Sequence, residues 1–230
     1  RLLQIKDVDR LDGFVLPKTT RGNFGSYANL LSERDRFYLM PTLETAEAFD
    51  SREMARLRNY LDTSRWRDRI LAIRIGGNDL LNLLGLRRAS GATIYDTPLS
   101  HIISQLIVAF RPAGFSLTAP VFDRFDSPET LSREVRRDVE HGLIGKSAVH
   151  PTQVPMIEAE YAVSREDYEI ACAILAPSAA SVFQIHGCMC EPTTHRRWAQ
   201  VIVDRRHAFG ICKASAPAND VLIRVAYGEA

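Results

Sequence analysis

Only four cysteines occur in 230 residues, and they follow no regular disulfide spacing. That usage suits a reducing cytoplasm rather than a crosslinked secreted scaffold. An excess of one charge is also lacking: 29 Lys and Arg stand against 28 Asp and Glu, a formal net charge of +1. The balance gives no general electrostatic case for nucleic acid or a membrane surface as partner. The local basic runs, Arg133 to Arg137 and Arg205–Arg206, read as solvated helix faces. No apolar run reaches the length of a membrane span, and no secretory-signal pattern opens the sequence. The phosphate-binding P-loop and the Gly-x-Gly-x-x-Gly fingerprint are missing, and so is a Gly-x-Ser-x-Gly nucleophile elbow.

What is present is an alternation of apolar strands and amphipathic helices. Strands are expected near 14–18, 37–43, 70–76, 117–122 and 145–150. Ser51 is placed to cap a helix carrying Met54, Leu57 and Leu61, and Pro98 opens one carrying Ile102, Ile103, Leu106, Ile107 and Phe110. A short helix is expected over Leu80 to Leu86, and Ser127-Pro128-Glu129 starts another with Leu131, Val135 and Val139 on one stripe. Ser164 with Asp167 starts a helix to about Leu175, and a last one spans about Thr194 to Phe209. Residues 177–194 read as irregular, and Val221 to Val225 as a weak strand or part of a tail.

Strand and helix alternate at βα spacing, which predicts an α/β fold with a parallel sheet. A closed (β/α)8 barrel needs more strands than these five. The expectation is either an open doubly wound sheet or a TIM barrel whose three N-terminal units are missing from this sequence. The expected division is a βα domain over 1–176 and a further C-terminal segment over 177–230.

The stretch Ile73-Arg74-Ile75-Gly76-Gly77-Asn78-Asp79 reads as a buried strand, two glycines, then a carboxylate at the strand's C-terminal end. Phe37 to Leu43 delivers Glu44 in the same way. In α/β proteins that end is where ligands bind. Two acids on successive strand ends suit a hard cation such as Mg²⁺, which takes one or two protein carboxylates and leaves room for substrate oxygens. The competing reading is helix caps or surface ion pairs. Lys146 and His150 are read either as anion and substrate contacts or as structural groups, with spacing favouring the latter. Cys188, Cys190 and His195 have zinc-ligand chemistry but no finger or ribbon spacing, which favours ordinary thiols.

Several stretches together resemble the citrate lyase β-subunit-like branch of the HpcH/HpaI aldolase family. They are Gly13 to Lys18, Pro41 to Ala46, Ile75 to Leu80, and above all Gly142-Leu143-Ile144-Gly145-Lys146-Ser147-Ala148-Val149-His150-Pro151-Thr152-Gln153. The resemblance covers residues 11–176, and more loosely points to the citrate-lyase-like proteins encoded beside bacterial tellurite-resistance genes. It implies a TIM-barrel carbon–carbon lyase that uses Mg²⁺, with Mn²⁺ as a substitute. The metal stabilises an enolate formed from a 2-oxo or hydroxy acid or an acyl-CoA ester. Carried over by motif, Glu44 and Asp79 are the metal ligands, with Lys18 and Arg74 near the substrate. Asn78 stands where the family usually has an acid before the metal aspartate. Glu191, in Gly187-Cys188-Met189-Cys190-Glu191-Pro192, stands where the family's lid carries an aspartate for the neighbouring subunit, with one residue fewer before the proline. The resemblance also implies a homo-oligomer, a trimer or hexamer. A non-catalytic accessory protein and a thioester hydrolase on the same scaffold are the competing functions.

Overall fold

Short β-branched and aliphatic strands alternate with helices that bury one stripe, and the repeat is carried by the parallel strands it predicts. The structure is a computed structural model and describes residues 8–32 and 35–212. It comprises two units, residues 1–160 and 161–230.

In the first unit the chain runs through β1 (Gly13–Leu16), α1 (Phe24–Ala28), β2 (Tyr38–Leu43), α2 (Ser51–Asp62), β3 (Ile73–Ile75), α3 (Gly77–Leu83), α4 (Leu99–Phe110), β4 (Leu117–Thr118) and α5 (Pro128–Glu140). The four strands form one parallel sheet in the order β1-β2-β3-β4. Alternation decides which face is buried. Leu39, Leu43, Ile73, Ile75 and Leu117 join one apolar core with Leu57, Leu61, Leu80, Ile103, Leu106 and Phe110 from the helices. Burying each such aliphatic side chain is worth about 1.5–3 kcal/mol. Met40, Thr42, Arg74 and Thr118 occupy the alternate positions and project from the opposite face.

Several elements differ from their sequence expectation. The strand expected over 117–122 is only Leu117–Thr118, because Pro120 has no N–H to continue a ladder. The fifth strand, expected near 145–150, is a single bridge between Ala119 and Lys146, since the chain turns at His150–Pro151. Helix α2 is capped by Asp50, whose Oδ1 accepts the Arg52 N–H at 2.7 Å, so Ser51 is its first residue and not its cap. Ser127 makes no capping bond to α5, which relies on Pro128 at its start. The helix expected over 80–86 begins at Gly77 and ends at Leu83.

Helix α6 (Val154–Tyr161) carries the chain from the first unit into the second. The second contains α7 (Arg165–Leu175), the antiparallel hairpin β5 (Phe183–Ile185) and β6 (Cys188–Cys190), and α8 (Pro192–Phe209). Ser164 Oγ accepts the Asp167 N–H at 2.9 Å and caps α7 as expected. His186 and Gly187, with φ of 49° and 77°, make the tight hairpin turn, so part of 177–194 is ordered sheet and not irregular chain. Ile170, Ala171, Ile174, Cys190, Ala199 and Ile202 form this unit's own core. The stripe of α7 packs on α8, and Pro177 marks a turn inside the unit. Among the described residues no helix is long and apolar enough to cross a membrane. The reading of Val221 to Val225 lies outside the described residues.

Candidate functional site

The site is built from the loop after β1. Lys18 turns the chain with φ of 48°, a left-handed conformation that non-glycine residues seldom adopt. Local bonds hold that turn: Thr19 Oγ1 donates to the Leu16 carbonyl at 2.9 Å, and Asn23 Nδ2 donates to the Lys18 carbonyl at 2.8 Å. The turn sends the two ends of Lys18 to two carboxylates. Its backbone N–H donates to Glu44 Oε1 at 2.7 Å, and its ammonium donates to Asp79 Oδ1 at 2.8 Å. The Asp79 hydrogen bond and charge, with the charge of Glu44 adding to them, hold the Lys18 ammonium above its ordinary pKa of 10.5.

Glu44 follows the C-terminal end of β2, and Asp79 lies in the first turn of α3, directly after β3. The two strands are neighbours, with Leu43 paired to Ile75. Gly76 makes room for the approach, since a Cβ there would collide with the Glu44 side chain. Two part-exposed carboxylates converging on one lysine are a donor set that fits Mg²⁺, which completes its shell with water and substrate oxygens. Among the described residues no group of three or more His, Cys, Asp and Glu side chains is placed to hold a metal.

Arg74 lies on β3, and its Nη2 donates to Ser147 Oγ at 3.1 Å. Glu191 lies in the second unit as the N-cap residue of α8. Its carboxylate accepts from Thr193 Oγ1 at 3.1 Å and Thr194 Oγ1 at 3.3 Å. The structure thus brings Lys18, Glu44 and Asp79 together, and places Arg74 on the strand that leads to Asp79.

Lys146 is structural. Its side chain is fully buried, and its ammonium donates to Glu134 Oε1 at 2.8 Å and Asp138 Oδ2 at 2.9 Å on α5. Glu134 also accepts the Ile94 N–H at 2.6 Å and pairs with Arg88, while Tyr95 Oη donates to Asp138 Oδ1 at 2.7 Å. Burial pushes the Asp138 carboxyl above its ordinary range, against the pull of Lys146. The sequence signal was available: Glu134 and Asp138 lie at helical i, i+4 spacing beside the apolar stripe of α5. His150 is likewise local, its Nδ1 accepting the Thr152 N–H at 3.3 Å. Cys190 Sγ donates to the Cys188 carbonyl, and His195 Nδ1 accepts the Glu191 N–H at 3.1 Å, so these residues act as an ordinary thiol and a capping imidazole.

The family model of the C–C bond lyases of the TIM-barrel fold matches residues 1–211. Comparison with curated protein sequences finds no match. Among solved structures, the chain is similar to the protein CitE from Mycobacterium tuberculosis in complex with magnesium, acetoacetate and coenzyme A. Identity is 25% and the TM-score 0.59, over 85% of this chain and 68% of that one. A citrate lyase from Burkholderia xenovorans LB400 matches with a TM-score of 0.64 at 16% identity, over 91% of this chain and 67% of the other. RipC from Yersinia pestis matches with a TM-score of 0.52 at 19% identity, over 65% and 63%. The last two establish likeness of fold alone. With its parallel βα sheet and a family match over most of its length, the chain belongs to the C–C bond lyases of the TIM-barrel fold.

Proposed function

We propose that this protein is a Mg²⁺-dependent carbon–carbon lyase acting on a small 2-oxo or hydroxy acid or on an acyl-CoA ester. The observation that carries the reading is the convergence of Glu44 and Asp79, from the ends of adjacent parallel strands, on Lys18. The M. tuberculosis neighbour, whose structure contains magnesium, acetoacetate and coenzyme A, supports the choice of ligands.

Glu44 and Asp79 would hold the ion, with Mn²⁺ as a substitute. When bound, Mg²⁺ supplies Lewis-acid stabilisation of the negative charge that develops as the carbon–carbon bond breaks. The chain's own groups position the substrate. Lys18 places a cation at the lip of the site, and the Gly76 backbone leaves Glu44 free to approach the ion. Glu191 is the acid–base group, supplied to a neighbouring copy in a homo-oligomer. The protein works in the cytoplasm.

Calorimetric titration with Mg²⁺ of the wild type, Glu44→Ala and Asp79→Ala tests the reading. Binding by the wild type that disappears in both variants supports it. A folded wild-type protein that binds no Mg²⁺ overturns it, and directs the search to an accessory role.

A further inference from the structure

Arg74 of β3 is paired with Thr42 of β2 on one side and Thr118 of β4 on the other. Directly paired residues of parallel strands project to the same face, so the three side chains stand in one row across the sheet. Leu43, Ile73, Ile75 and Leu117 point the other way, into the apolar core. Glu44 lies two residues beyond Thr42, on the row's side of the sheet and about 7 Å toward the strand ends. The row is the floor beneath the candidate metal site.

Three features of this floor are unsatisfied. Thr42 and Thr118 are only 3% and 9% exposed, and among the described residues neither hydroxyl has a hydrogen-bond partner. A buried hydroxyl in that state is costly unless something else occupies it. Arg74 donates to Ser147 and makes no ion pair among the described residues, so its charge is not neutralised. Beside Thr118, on the segment that bridges to β4, a Cβ added to Gly145 would meet nothing within 4 Å, which leaves open space on that side. A partly buried guanidinium, two idle hydroxyls and room beside them call for a planar oxyanion, which the guanidinium fork binds bidentately.

We propose that Thr42, Arg74, Thr118 and Ser147 form an oxyanion-binding floor that takes a carboxylate of the ligand below the Glu44–Asp79 site. Its role in substrate binding rests on the lyase reading above. If both hold, the substrate carries an anionic group distal to its metal-bound end, and the floor sets how deep it sits. Thr42 and Thr118 are then specificity-determining residues for a carboxylate-terminated substrate.

The test separates the floor from the metal. The full chain, stripped of metal with EDTA, is titrated with butyrate and with butyramide by NMR. Butyrate is expected to bind at least about tenfold more tightly, the scale of a charge-assisted contact. Arg74→Met and the double variant Thr42→Val/Thr118→Val should each erase that preference. The valine variants remove hydroxyls that make no internal bond, so their thermal stability should hold or rise, which distinguishes ligand binding from a structural role. Equal binding of butyrate and butyramide by the wild type overturns the floor. So does a preference that survives in the double valine variant. Mg²⁺ titration of the same samples is read separately. Mg²⁺ binding without the butyrate preference sinks the floor and leaves the lyase reading standing. The preference without Mg²⁺ binding does the reverse.

Discussion

The Lys18 ammonium sits 2.8 Å from Asp79 Oδ1, occupying a carboxylate that a divalent ion would also need. A cation that binds there must compete with the ammonium or force it aside. Lys18→Met keeps the length of the side chain and removes the charge. Mg²⁺ affinity should therefore rise in this variant, by roughly two- to fivefold for a solvent-exposed pair. Calorimetry in low salt measures it, and unchanged or weaker binding would show that the ammonium does not contend for the site. The raised Lys18 pKa gives the same competition a pH signature. The pair is intact below the ordinary lysine value of 10.5 and is lost as pH rises through the higher folded-state value.

The strand-end acids were legible in sequence because a parallel strand that stops at glycine or a polar residue delivers its next side chain to the open end of the sheet. The Ile73 to Asp79 stretch shows this plainly. The structural reading that spacing favoured for Lys146 holds, though its partners were harder to read. It lies in the most distinctive motif of the chain, yet its register against Ala119 turns it toward α5 and away from the ligand face. A shift of one residue along a strand exchanges faces, and strand ends are where a sequence defines register least well. Thr42 and Thr118 were passed over because a threonine in a strand is ordinary. Only pairing with Arg74 gives them meaning.

Gly76 should be intolerant of any side chain. In Gly76→Ala the new Cβ collides with Glu44, whose carboxylate must swing away from the position it now holds. Mg²⁺ affinity is expected to fall by at least about tenfold, the loss of one charged ligand contact. Gly145→Ala is the matched control, since its Cβ enters open space. Metal affinity should be unchanged there. Similar losses in both variants would argue that Gly76 acts through general backbone flexibility.

Lys146→Met tests whether the distinctive motif lysine is structural. It leaves Glu134 and Asp138 buried without their shared cation, a change expected to cost about 3–5 kcal/mol of stability. Urea unfolding measures that loss. Mg²⁺ binding at a temperature where the variant stays folded should match the wild type. A stable variant with weakened metal binding would return Lys146 to the functional site.

Asp96 sets an acid limit on the fold. Its Oδ2 accepts the Thr93 N–H and the Thr93 hydroxyl, both at 2.8 Å, and so closes the turn that leads into α4. The Thr93 backbone N–H, then its hydroxyl, hold the Asp96 carboxyl below its ordinary value of 3.8, with Arg133 and Arg137 adding to the effect. A depressed folded-state pKa contributes stability that is fully present above 3.8 and is lost as pH falls through the lower folded value. Asp96→Ala should lower stability at neutral pH by no more than about 1 kcal/mol, because half-exposed side chains are screened. The difference from the wild type should shrink as both are acidified below 3.8. Chemical unfolding midpoints of the two proteins across that range give the comparison. A gap that stays constant with pH would assign the loss to packing, since only the ionised carboxylate carries the pH-dependent part.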